Sequence, residues 1–132
     1  MKIAKKITTI VCDDARQEMG GKISLMGVYS GDLIVNKVPA LLPTLSFVIF
    51  LVGIKKDFNI IKVSLTFTDT KPIEITVPNP TNAGIGQDSN LVFSMAPVKI
   101  EAPGKALFEA SFDDEDKPSI KYIFAIKLNE SS

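Results

Sequence analysis

The chain has 132 residues, with fifteen lysines and arginines against fifteen aspartates and glutamates, one cysteine and no histidine. That length suits one domain that buries roughly two-thirds of its unfolded surface without help from a metal or a disulfide. Balanced charge with no basic stripe argues against nucleic-acid or membrane partners, and a lone thiol gives no sign of an oxidising compartment.

The first segment opens on Lys2, Lys5 and Lys6, but the apolar run over 7–12 is broken by Thr8 and Thr9 and meets Asp13 and Asp14. A secretory core needs about 7–15 apolar residues. Residues 3–12 are therefore expected to form a strand, and the protein is expected in a cytoplasm. Residues 14–19 are the one helical candidate: Asp14 can cap, Gln17 follows three residues later, and Gly20-Gly21 can close the turn. Arg16 is the only arginine. Beside two aspartates it is expected to form a partly buried, bidentate pair.

Strands are expected near 22–29, 32–36 and 44–54. The last is apolar on both faces through its centre, so one face packs in a core and the other needs a cover. Its outer face, Val48, Phe50 and Val52, is covered either by a neighbouring loop or by another subunit. Further strands are expected near 59–69, 72–77, 90–100, 105–113 and 119–128, most with period-two alternation. The loop over 78–90, rich in proline, glycine and small polar residues, is expected to be mobile. Turn signals at short spacing complete the pattern. The expected fold is a single all-β domain over 1–132, an antiparallel two-sheet sandwich of immunoglobulin-like or Greek-key type.

Catalytic chemistry has little to work with. Without histidine there is no Ser-His or Cys-His pair. Cys12 is followed by two aspartates, which raise a thiol pKa rather than activate it. A zinc site from one cysteine is not expected, and no cofactor is. Asp113, Asp114 and Asp116 are secondary candidates for calcium, as in a C2-like module. Their contiguous spacing fits a solvated hairpin tip better.

The stretch Asp13, Asp14, Arg16, Glu18, Gly20, Gly21 and Lys22, followed by Gly27-Val28-Tyr29, resembles a family of small bacterial proteins of unknown function. These carry an Asp-Asp-x-Arg-x-Glu-x-Gly-Gly-Lys motif and then a proline-rich step, here Pro39 to Pro43. The resemblance covers roughly the first 50 residues, implies no activity, and is compatible with a phage source. The expected function is a non-enzymatic, protein-binding or structural module, possible as a homodimer. The alternative is a calcium- or small-ligand-binding module, and an enzyme built on Asp13, Asp14, Arg16 and Lys22 ranks last.

Overall fold

The computed structural model describes residues 3–129 apart from 69, 82 and 114. In chain order the strands are β1 (Ala4–Gln17), β2 (Ile23–Val28), β3 (Leu33–Val35), β4 (Ala40–Leu42), β5 (Leu45–Ile54) and β6 (Ile60–Phe67). They continue as β7 (Ile73–Pro78), β8 (Ser89–Met95), β9 (Val98–Ile100), β10 (Gly104–Phe112) and β11 (Ile120–Leu128). Sheet A runs β2-β1-β5-β8, sheet B runs β3-β11-β10-β6-β7, and β4 pairs with β9. The expected all-β sandwich is thus observed, with one departure: β3 lies parallel to β11.

The two sheets meet through their alternating apolar residues. Phe47, Ile49 and Leu51 of β5 face Ala106, Phe108 and Ala110 of β10 in one buried cluster. Phe47 stacks on Phe108 with ring centroids 4.1 Å apart and planes 5° from parallel. Phe58 meets Phe112 edge-on at 4.8 Å. Such aromatic pairs add about 0.5–1.5 kcal/mol each beyond area burial. At the Leu45/Met95 end of the β5–β8 pair, β4 and β9 continue the chain, and Val98 and Ile100 join the core.

Two local expectations are corrected. Residues 14–19 form no helical turn: β1 runs on to Gln17, because Asp14 and Arg16 pair with Met26 and Ser24 of β2. The only 3-10 turn there is Met19–Gly21, which reverses the chain between β1 and β2. The expected strand near 90–100 splits at Ala96-Pro97 into β8 and β9, since proline cannot donate to a ladder. The loop over 78–90 is hydrogen-bonded to the strands around it at several points. Asn79 donates through its side chain to the Phe58 carbonyl, Gly86 N donates to Ile54 O at 2.7 Å, and Asp88 accepts from Gly53 N at 2.8 Å.

Among the described residues, no helix is long and apolar enough to cross a membrane.

Candidate functional site

The motif residues sit on the β1–β2 ribbon. Residues 4–12 of β1 pair with β5, while from Cys12 to Gln17 the strand pairs with β2. Beyond Cys12 the ribbon is therefore two strands wide, and Glu18, Met19 and Gly20 at its tip are exposed. Gly20 takes φ +79°, a left-handed conformation that glycine adopts without penalty, and Glu18 N donates to Lys22 O at 2.8 Å. Gly21 completes the turn.

Asp13 accepts a hydrogen bond from the Tyr29 hydroxyl. Gly27, at φ +68°, lies against the same carboxylate: a Cβ there would come 2.3 Å from Asp13 Oδ2. Burial, followed by this hydrogen bond and the Asp13 charge, pushes the Tyr29 hydroxyl pKa well above its ordinary value. Asp14 is not a helix cap. Its Oδ1 accepts from Ala15 N at 3.0 Å and its Oδ2 from Arg16 Nε at 3.2 Å. The Arg16 pair is neither bidentate nor buried, because the guanidinium side chain is 69% exposed at the ribbon surface. Glu18 makes no ion pair among the described residues. The motif thus builds a ribbon rather than lining a pocket. Gly27 and Tyr29 belong to it structurally, and a glycine inside a strand is the signal that points to such close approach.

Cys12 is buried, and its thiol donates to Asp14 O at 3.3 Å. Burial first, then the charges of Asp13 and Asp14, raise its pKa, so it is held as a thiol rather than as a nucleophilic thiolate.

The acidic turn between β10 and β11 is engaged with backbone, both its own and that of the segment entering β6. Asp113, at φ +54°, accepts from Asn59 N at 2.8 Å and Ile60 N at 3.1 Å. These N–H donors lower its pKa below the usual carboxylate range. Glu115 accepts from Phe112 N at 2.6 Å and from the Ser119 hydroxyl. Asp116 is exposed, and Asp114 lies outside the described residues. Among the described residues, no three metal-ligating side chains converge. Nearby, the outer face of sheet B carries an open groove of about 590 Å³ lined by Lys62, Glu74, Glu109 and Ser111. Its lining mixes these charged and polar side chains with Ile60 and Pro118 and lacks aromatic side chains.

The outer face of sheet A is different. Strand register places Val28 beside Cys12, Val48 between Ile10 and Val92, and Phe50 between Thr8 and Asn90. Opposed residues of an antiparallel pair share a face, so Val28, Cys12, Ile10, Val48, Val92 and Phe50 form an apolar stripe that touches four strands and is flanked by Thr8 and Asn90. Val48 is fully buried on this side of the sheet, outside the core cluster, while Phe50 is half-buried. At the margins Val28 is 52% and Val52 43% exposed. Of the three expected interface residues, Val52 is open, Phe50 is partly open, and Val48 is already covered. In the row of Cys12 on the same face, Ser46 and Ser94 pair their hydroxyls at 2.9 Å, which satisfies Ser46, the one buried polar residue among the described residues.

No curated protein matches the chain. Among solved structures it is similar to β-glucosidase from Listeria innocua, alone and in complexes with glucose and with isofagomine. The identity is 11% in each case and the TM-scores are 0.42, 0.42 and 0.40. The alignment covers 92% of this chain but only 16% of that enzyme. A family model matches residues 7–124, from the middle of β1 to the middle of β11, and the chain belongs to that family, the family of unknown function DUF6941.

Proposed function

We propose that this chain is a non-enzymatic β-sandwich that works by protein contact in a cytoplasm, through the outer face of sheet A. The observation that carries this reading is the apolar stripe that touches four strands, with Val28 and Val52 open at its margins. Soluble domains rarely leave a contiguous apolar patch of several hundred Å² without a partner. The opposite outer face, on sheet B, carries the charges of Lys62, Glu74, Glu109 and Lys121 with Ile123 and Ile34 exposed among them, so its apolar side chains are interspersed with charge. Cys12 supports the cytoplasmic placement, since a buried lone thiol needs no oxidising environment.

The test compares the full chain with Val52→Glu and with Lys121→Glu, a control on the other sheet. Self-association is read by light scattering, and partners are read by capture from cell extract. Val52→Glu should lose the association that wild type and Lys121→Glu keep. Equal association by all three, or none by wild type, overturns the reading.

A further inference from the structure

The outer face of sheet A carries charges at its two ends in an order that matches itself in reverse. Along β1 the residues on this face are Lys6, Thr8, Ile10, Cys12 and Asp14, with Ile10 at the midpoint. A two-fold axis through Ile10 maps Thr8 onto Cys12 and Lys6 onto Asp14. We infer that the partner for this face is a second copy of this chain, stacked about a dyad beside Ile10, with Lys6 of each copy meeting Asp14 of the other. This rests on the reading that the outer face of sheet A is a contact surface.

The geometry allows the contact. Stacked sheets pack about 10 Å apart with strand directions within about 30° of one another. At that angle a residue four positions from the dyad is displaced by about 7 Å, within reach of a lysine stem and a carboxylate across the gap. Lys6 is exposed and makes no ion pair among the described residues. Asp14 gives one oxygen to Arg16 Nε and the other to Ala15 N. A carboxylate has about four acceptor sites, so capacity remains. Arg16 lies a further step outward along β1 and is mostly in solvent.

Four strands lie side by side only in the row of Cys12 and two in the row of Asp14, so at about 4.8 Å between strands and about 3.4 Å per residue the face covers about 400 Å², the size of a weak contact rather than of a standard interface of about 800 Å² per partner. The centre of the face is apolar, around Ile10, Val48, Val92 and Phe50, and the charges lie at its ends. That is the arrangement of an apolar core with a polar rim.

A charge exchange decides the matter. Within one chain Lys6 and Asp14 stand eight residues apart on an extended strand, about 27 Å, so they cannot touch each other. Any rescue between them must pass between copies. Full-length wild type, Lys6→Glu, Asp14→Lys and the double variant are compared by sedimentation over 1–100 μM at low salt. Each single variant places like charges together at two symmetric contacts and should weaken the dimer by about tenfold or more. The double variant should return to within about threefold of wild type. Mixing the two single variants should also restore association, because the mixed pair makes both contacts with opposite charges. Circular dichroism and melting curves check that each variant is folded, and the mixing experiment uses copies that pass.

A wild type that stays monomeric at 100 μM overturns the second copy as partner. The contact-surface reading is then judged separately by the Val52→Glu capture test. A wild-type dimer that the single changes leave unaffected, or that neither the double variant nor the mixture rescues, overturns the dyad beside Ile10. Weakening by both singles with recovery in the double and the mixture supports it.

Discussion

The Tyr29 hydroxyl donates a hydrogen bond to Asp13 Oδ1 where β1 and β2 leave the sandwich, joining residues sixteen apart in sequence. The contact favours the neutral phenol, and the Tyr29 pKa is raised from its ordinary 10.0 by burial and then by Asp13. A raised folded pKa contributes stability that is present below the unfolded value and is lost as pH climbs toward the folded one. Stability should therefore decline above about pH 10. Tyr29→Phe should flatten that alkaline decline and cost about 0.5–1 kcal/mol at neutral pH. Denaturant melts across pH 8–11.5 on both proteins provide the check, and identical alkaline slopes would sink the idea.

Gly27 makes the same contact possible, and for two reasons. Its φ of +68° lies where a side chain is strained, and a Cβ would strike the Asp13 carboxylate at 2.3 Å. Gly27→Ala should destabilise the domain by about 1–3 kcal/mol. Asp13→Ala in the same background should recover part of that loss by removing the carboxylate in the way. A Gly27→Ala midpoint within error of wild type rules the strain out.

These residues show what the sequence disclosed and what it concealed. Alternation over 61–67 and 120–128 marked β6 and β11 directly, because each buries one face in a core. The doubly apolar run at 44–54 marked a strand with one face in a core, and its place between β1 and β8 was not legible from the run itself. The continuation of β1 through Gln17 was hidden. Residues 13–17 have only β2 for a partner, so no alternation records a buried face, and capping residues imitate a helix start. The short β4 was hidden too, between Pro39 and Pro43, since three residues are too few for a period. The covered state of Val48 depends on Ile10 and Val92 from distant segments, which no local pattern reports.

Arg16 gives a weaker effect than its isolation in the sequence suggests. Its single contact to Asp14 lies at the surface, with side chains 69% and 36% exposed. Exposed pairs are worth about 0–1 kcal/mol. Arg16→Ala should shift the denaturation midpoint by no more than that, and 0.5 M salt should erase the difference. A loss well beyond 1 kcal/mol points to a role that the Asp14 contact does not supply.

Asp113 should govern the acid side of the stability curve. Its pKa is lowered, first by the Asn59 N–H and then by that of Ile60. Such a group contributes stability that is present above the unfolded pKa, here 3.8, and is lost as pH falls through the folded value. Asp113→Asn should therefore show a shallower loss of stability below about pH 4 than wild type. The same engagement with backbone leaves calcium little to bind. Millimolar calcium should leave the melting temperature unchanged, whereas saturation at 100 times a dissociation constant would add about 2.7 kcal/mol. A rise reversed by EDTA restores the calcium-binding alternative.

Val48 and Phe50 lie two residues apart on the same face of β5, yet a charge should affect them differently. Val48 is fully covered by its own sheet, with Ile10 on one side and Val92 on the other. A glutamate there forfeits about 1.5–3 kcal/mol of apolar burial and adds the cost of an unpaired, desolvated carboxylate. Together these approach the whole stability of a small domain, about 5–15 kcal/mol. Val48→Glu should be unfolded or insoluble. Phe50 is half-buried at the open side of the stripe, beside Thr8 and Asn90, so a glutamate at this position can turn its carboxylate to water. Phe50→Glu should keep the wild-type β spectrum, lose about 1–2 kcal/mol of stability, and lose association through the outer face. Circular dichroism, denaturant melts and light scattering on the two variants read all three quantities. If Val48→Glu folds like wild type, the stripe is looser than its burial indicates. If Phe50→Glu aggregates, that side chain belongs to the protein's interior and not to its contact surface.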